Sequence, residues 1–263
     1  ANILNNDQFF EIIKTKKIPT KPSIILTFDD GYIDHYKYVF PLLNKNKISG
    51  FFYPPIKTIK KREVLDVNKI HLILEKEINK KKILDLIKNF LKKDFDIKIN
   101  DLNLNKIKLA GRYDDKDTKI IKSLLQHHIP SQFRSKIVNK IFSKILQKSE
   151  KEIANNIYMK KKHIMEMNEN GMSFGSHGYN HYWWEFLKIK EQEIELKKSI
   201  EYFSDLKMFD KKFSVCYPYG SFNSNTIKLL RKYKISFACT SKPGRINSDN
   251  LKSKFVFPKI RYK

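Results

Sequence analysis

Residues 23–31 read Ser23-Ile24-Ile25-Leu26-Thr27-Phe28-Asp29-Asp30-Gly31, an apolar run that ends in two adjacent carboxylates and a glycine. The run has the length and composition of a buried strand, and its last residues meet solvent. Side chains in an extended chain alternate between faces. Asp29 and Asp30 can therefore share one job only if the strand ends between them and the chain turns at Gly31; two different jobs fit better. One carboxylate can hold a metal ion while its neighbour handles protons.

The pattern around this run is strand, helix, strand. Apolar residues at helical spacing fill 33–47, and a second apolar stretch, 48–53, stops at Pro54-Pro55. This is the βαβ grammar of a parallel sheet. Beyond Pro55 the character changes. Residues 56–160 are Lys-rich with apolar residues every three or four positions, such as Leu72, Ile78, Ile83, Ile87 and Leu91, which predicts amphipathic helices and no strand. Strand grammar resumes at 172–176, followed by a helix near 191–208, a strand at 213–217, a helix at 225–233 and strands near 235–240 and 255–257. A helical block thus interrupts one α/β barrel or sheet. The block, burying one face of each helix, is expected to form a helical cap or a dimerisation surface.

The 263 residues and 41% hydrophobic content suffice for a sizeable core. With 53 Lys+Arg against 28 Asp+Glu, the formal net charge is +25, which raises nucleic acid or an anionic membrane as partners. The basic residues are mostly Lys interleaved with Asn, Ile and Phe along the whole length, the signature of an AT-rich coding sequence. They gather into no nucleic-acid reading motif, so no specific nucleic-acid partner is expected. Cys216 and Cys239 make no disulfide framework and no closely spaced metal pair. No apolar run approaches the roughly 18 residues of a membrane span. The expected location is the cytoplasm, with an exported form whose signal has been removed as the alternative.

His177-Gly178-Tyr179-Asn180-His181 follows the predicted strand 172–176 just as the carboxylates follow theirs. Gly175, Gly178 and Asn180 favour a loop that turns both rings one way. Parallel α/β folds place functional groups at the C-terminal ends of strands. One carboxylate with two imidazoles leaves a coordination position open, as in a catalytic zinc site. Cys216-Tyr217-Pro218-Tyr219-Gly220 ends another predicted strand and offers a wall of the site, with a backbone N–H near Tyr219 for an oxyanion.

These three segments, in this order, resemble the polysaccharide deacetylase family with the NodB homology domain, also called carbohydrate esterase family 4. Thr27-Phe28-Asp29-Asp30-Gly31 matches its first motif. The segment 177–181 is similar to the second, with Gly178 where a hydroxyl residue usually braces the loop. The segment 215–220 is similar to the third, with Cys216 where many members have arginine. The resemblance covers 20–55 and 165–263. It implies a distorted (β/α) barrel of about seven strands, built from residues 1–55 and 161–263 around a helical insertion, 56–160. It also implies that Asp30, His177 and His181 bind a metal, Zn2+ or another divalent transition metal, that Asp29 is the general base, and that the Tyr219 N–H shares the oxyanion. Substrate contacts are expected from Tyr32, Pro218, Trp183 and His71.

Two departures carry consequences. The family's terminal Leu-x-His motif has no counterpart in Phe255-Val256-Phe257-Pro258-Lys259-Ile260-Arg261-Tyr262-Lys263. Asp29 is then expected to return the proton it takes, with His71 as the alternative acid. The candidates in the sequence for the cation missing at Cys216 are Lys259, Arg261 and Arg245. Trp183-Trp184 read as core packing before a sugar platform, His127, His128 and His163 as surface residues, and His35 as the first residue of a helix. The implied activity is hydrolysis of an N-acyl group, most simply acetyl, from an amino sugar, nucleotide- or lipid-linked, in surface-polysaccharide assembly. The rivals are a carbohydrate-binding member that has lost turnover and a nucleic-acid-binding protein.

Overall fold

Among the described residues the strands pair in parallel, as the strand–helix–strand reading requires, and an isolated bridge, Tyr32 with Tyr158, is antiparallel. The computed structural model describes residues 1–102 and 114–260. Strand β1 (Asn2–Ile3) pairs with β2 (Ser23–Ile24), and β3 (Thr27–Asp29), β4 (Phe51–Tyr53) and β5 (Ser173–Phe174) form one sheet in that order. Ser176 then bridges to β6 (Val215–Cys216), β6 pairs with β7 (Ala238–Cys239), and Cys239 bridges to Phe257. The hydrogen-bonded order is therefore an arc from β3 to Phe257, and no pairing among the described residues closes it.

Three sequence expectations are corrected in detail. The strand expected over 23–28 is two strands, broken at Ile25-Leu26 as the chain passes from pairing with β1 to pairing with β4. The helix expected over 33–47 is helical from Ile33 but winds as a π-turn over His35–Val39 before helix α2 of residues Phe40–Lys45. The strand expected at 255–257 is a single bridge. The N-terminal helix α1 (Asn6–Thr15), missed in the sequence, precedes α2; Asn5 caps it by accepting from the Gln8 N–H.

Strand alternation sorts the apolar residues into two cores. Phe51, Tyr53, Cys216, Phe237, Cys239 and Phe257 face one another, with Phe9 and Ile13 of α1 added to them. Phe52, Phe174, Val215 and Ala238 face the other way, toward the helices. Phe28 stacks on Phe52 in that outer layer, so Asp29, its neighbour, lies on the side of Tyr53 and Cys216.

The chain divides into two compact units, Ala1–Glu63 with Ala154–Lys263, and Val64–Ile153. Helix α3 (Ile56–Lys60) and residues 154–160 thus go with the strands rather than with the helical block. Within the first unit Arg62 joins the two ends of the insertion. Its guanidinium donates to the carbonyls of Thr58, Ala154, Tyr158 and Met159 and to Asn155 Oδ1. The second unit is helical: α4 (Asp66–Lys76) packs on α7 (Ser131–Leu146), and α5 (Lys80–Phe95) on α6 (Lys116–Ser123) and α7. No strand occurs there among the described residues. No helix is long and apolar enough to cross a membrane among the described residues.

Candidate metal centre

The end of β3 separates the two carboxylates. Asp30 and Gly31 both take left-handed backbone, φ 70° and 69°, directly after the strand. Only glycine fits at 31, where an added Cβ would stand 2.7 Å from Cβ of Pro54.

Residues 177–181 form a loop held from both sides. The N–H groups of Ile56 and Lys57, opening α3, donate to the carbonyls of Gly178 and Tyr179. On the other side stands Glu195 of α10 (Ile189–Asp205), reached along the chain through α8 (Glu150–Ile157) and α9 (Lys161–Glu169). Glu195 Oε2 accepts the N–H groups of Tyr179 (3.0 Å) and Asn180 (2.8 Å), and Oε1 accepts the Asn180 amide (2.5 Å). Glu195 does the bracing that a hydroxyl at 178 does not supply here. Sequence reasoning missed it, although the signal was present: Glu195 sits on the buried stripe of α10 with Gln192, Leu196, Ser199 and Phe203.

His177 Nδ1 lies 2.6 Å from the Cys216 carbonyl, which only accepts, so Nδ1 carries the proton and Nε2 presents its lone pair. That Nε2 is 3.5 Å from Asp30 Oδ1, and His181 Nε2 is 3.3 Å from the same oxygen. Asp30 Oδ1 is buried and takes no hydrogen bond. A buried acceptor left so is costly, and a cation between the three atoms removes the cost. The ligand atoms all lie within 4.8 Å of one another. Donors about 2.0–2.2 Å from a tetrahedral ion stand roughly 3.3–3.6 Å apart, the spacing of Asp30 Oδ1 from each imidazole nitrogen. The donor set fits a divalent transition metal.

Asp29 has a different partner. Lys259 Nζ donates to Asp29 Oδ1 (2.8 Å) and Oδ2 (3.1 Å) and to Cys216 Sγ (3.0 Å), and sits over the Tyr53 ring at 5.2 Å. Burial pushes Asp29 up, but Lys259 more than offsets it and keeps the carboxylate ionised. Burial likewise pulls Lys259 down, and Cys216 and Asp29 reverse that and raise it. Of the three cations open in the sequence, Lys259 therefore takes the place beside Asp29. Arg245 is exposed, and Arg261 lies outside the described residues.

The third segment is the turn Pro218–Gly220, with Tyr219 left-handed at φ 59° and its carbonyl accepting from Ser241 Oγ. The Tyr219 ring lies 4.6 Å from that of His181.

The Polysaccharide deacetylase family profile matches residues 16–93 and 145–238. The chain belongs to the polysaccharide deacetylase family. The match runs into the helical block as far as residue 93, further than the motifs alone reach. No curated protein sequence matches this family member. Among solved structures it is similar to the Streptococcus pyogenes deacetylase PplD in complex with acetate, at 16% identity and TM-score 0.55, covering 99% of this chain and 73% of that one. The BpsB deacetylase domain from Bordetella bronchiseptica (13%, TM-score 0.52, 98% and 79%) and IcaB from Ammonifex degensii (13%, TM-score 0.52, 96% and 79%) are similar too. At these identities the likeness speaks for the fold, the (β/α) barrel of carbohydrate esterase family 4.

Other expected site residues of this deacetylase fall in different places. Trp183 stacks on Tyr219, whereas Trp184 is fully buried core. Pro218 is buried and lies against the second motif, 3.5 Å from where a Cβ on Gly178 would stand. Tyr32 bridges to Tyr158 and stacks on it. His71 is exposed on α4 in the second unit. His163 corrects the surface expectation: it is buried, stacks on Tyr36 at 4.1 Å, and its Nδ1 accepts the Lys160 N–H. His35 does open the π-turn, with a buried Nδ1 that makes no hydrogen bond.

Proposed function

We propose that this polysaccharide deacetylase family member is an active, metal-dependent enzyme that hydrolyses the N-acetyl group of an amino sugar in surface-polysaccharide assembly. The observation that carries the reading is the buried Asp30 oxygen without a hydrogen bond, faced by the two imidazole nitrogens. A protein that had lost turnover would gain nothing by keeping so costly an arrangement beside an ionised, cation-held Asp29.

Asp30, His177 and His181 would hold the ion, for which zinc suits the two nitrogens and one oxygen. When bound, the metal supplies Lewis acidity, acidifying a water and polarising an acyl carbonyl.

The chain's own groups do the rest. Asp29, kept ionised and fixed at both oxygens by Lys259, accepts a proton from the water as its oxygen adds to the acyl carbon. A positioned base of this kind contributes about 10²–10⁴ in rate. The Tyr219 backbone N–H donates to the developing oxyanion. As the C–N bond breaks, Asp29 returns the proton to the leaving nitrogen, giving acetate and a free amine. Asp29 is preferred to His71 as the acid because it already holds the proton. The net charge of +25 suits a sugar on a phosphate-bearing carrier, nucleotide or lipid.

The test is acetate release from N-acetylglucosamine saccharides by the zinc-loaded protein. Release that a chelator abolishes and zinc restores is expected. A fully zinc-loaded protein that releases no acetate from any saccharide offered would point instead to a binding role.

A further inference from the structure

The proposed reaction uses Lys259 and leaves the sulfur beside it idle. Cys216 Sγ lies 3.0 Å from Lys259 Nζ, the nitrogen that also reaches both oxygens of Asp29. Cys216 is 2% exposed, but its sulfur belongs to the wall of an open site, where the Asp29 side chain keeps 23% of its surface. A molecule as small as dioxygen that enters beside Asp29 meets nitrogen and sulfur together. A cation in contact sets reactive cysteines apart from inert buried ones. Cys239 offers the comparison. It is the register partner of Cys216 on β7 and joins the same core. Directly paired side chains of parallel strands stand about 4.8 Å apart, however, beyond the roughly 3.5–4.5 Å between Cβ atoms that a disulfide requires. Joining the two sulfurs would shift strands, whereas joining Cys216 to Lys259 moves only the tip of a flexible side chain. The 3.0 Å contact is too long for a direct nitrogen–sulfur bond and leaves room for one atom between.

We infer that Cys216 and Lys259 are an oxidative modification site, joined by dioxygen through a single oxygen atom into a reversible Sγ–O–Nζ crosslink that disables the site. One S–H bond, one N–H bond and the O–O bond break, and an S–O bond and an N–O bond form. The two hydrogens leave with the second oxygen atom as water. Sulfur and nitrogen give up two electrons each to dioxygen, and the extra proton of the Lys259 ammonium goes to solvent. The bridged nitrogen is neutral and keeps one N–H, so it cannot span the two oxygens of Asp29 as the ammonium does. Two equivalents of a two-electron reductant restore thiol and amine.

The crosslink is independent of the deacetylase reading, and only the loss of turnover rests on it. Zinc-loaded protein, kept reduced or exposed to oxygen-saturated buffer, is compared by intact mass and peptide mapping. Exposure should add one oxygen and remove two hydrogens, in a peptide pair joining Cys216 to Lys259 that a phosphine reductant separates. Acetate release should fall about 10–100-fold, the usual cost of losing an orienting group, and recover with the reductant. Cys239→Ala should form the same crosslink, and Cys216→Ala should not. An unchanged mass overturns the inference, as does a disulfide between Cys216 and Cys239, or a direct nitrogen–sulfur bond, which loses two hydrogens and gains no oxygen. Crosslinked protein that releases acetate at the reduced rate overturns it too. Failure of the deacetylase reading shows separately, as a crosslink that forms in a protein whose reduced form releases no acetate.

Discussion

Each unit of the molecule buries one lysine against a carboxylate, and the two pairs differ in what surrounds them. In the helical unit Lys69, 2% exposed, meets Glu150 at 2.7 Å. Lys69 also donates to Asn139, and Glu150 also accepts the Val64 N–H. In the barrel unit Lys259 spans both oxygens of Asp29 and the Cys216 sulfur, but the next carboxylate keeps a buried oxygen with no donor. Both pairs bear a comparable desolvation cost, so a buried charge alone does not mark a site. The marks are unmet polar demand and backbone strain. Left-handed Asp96 and Gln147 in the helical unit merely end α5 and α7. Asp30, His181 and Tyr219 are left-handed beside the chemistry.

The largest effects should come from breaking the triad and its neighbour separately. His177→Ala removes one of three protein ligands, so both bound zinc and acetate release should be lost. Asp29→Asn should keep zinc, measured by elemental analysis after gel filtration, and lower turnover by about 10²–10⁴. Equal zinc loss in the two proteins would mean that the adjacent carboxylates have their roles exchanged.

The two lysines sharpen the comparison further. Lys259→Met should lower kcat/KM by about 10–100-fold, the usual cost of losing a group that orients one in direct contact with substrate or metal, and Lys259→Arg should recover part of it. Lys69→Met should instead lower the unfolding free energy by about 1–3 kcal/mol, because Glu150 and Asn139 lose a charged donor and the half-buried carboxylate keeps only the Val64 N–H. Its activity per folded molecule, assayed well below the melting transition, should hold. The double change Lys69→Met, Glu150→Leu should restore stability. If Lys259→Met moved only the melting temperature, the distinction between the two pairs would collapse.

Much of the site was legible because it is local. Asp29 and Asp30 stand at a strand end marked by Gly31, and both histidines lie within one five-residue loop, so order along the chain already stated proximity. What was not legible comes from far away in sequence. Lys259 stands 230 positions from Asp29, and nothing in its neighbourhood distinguishes it from Arg245. Burial of His163 depends on Tyr36 of the first βα turn. The break within 23–28 depends on pairing partners, since β2 and β3 serve different neighbours; the composition of the run is uniform.

The smallest expected effect concerns Glu195, which touches no ligand and acts only by holding the loop between them. Glu195→Gln keeps the shape but replaces one acceptor with a donor, so one of the three bonds from Tyr179 and Asn180 must fail. Zinc affinity at neutral pH, read from chelator competition, should fall about tenfold, the lower end for groups behind a metal ligand. A second readout separates this from mere loss of packing. Burial raises the Glu195 carboxyl above the usual glutamate range, although the three donors partly offset it. As pH rises, the unfolded chain therefore releases this proton first, near about 4.3, while the folded chain still holds it. The contribution of Glu195 to stability is greatest at the acid end, declines until the pH passes the raised folded value, and is level above it. In metal-free protein the stability difference between wild type and Glu195→Gln should follow that decline in denaturant melts. A difference flat with pH, or an unchanged chelator midpoint, would show that the loop holds its histidines without Glu195.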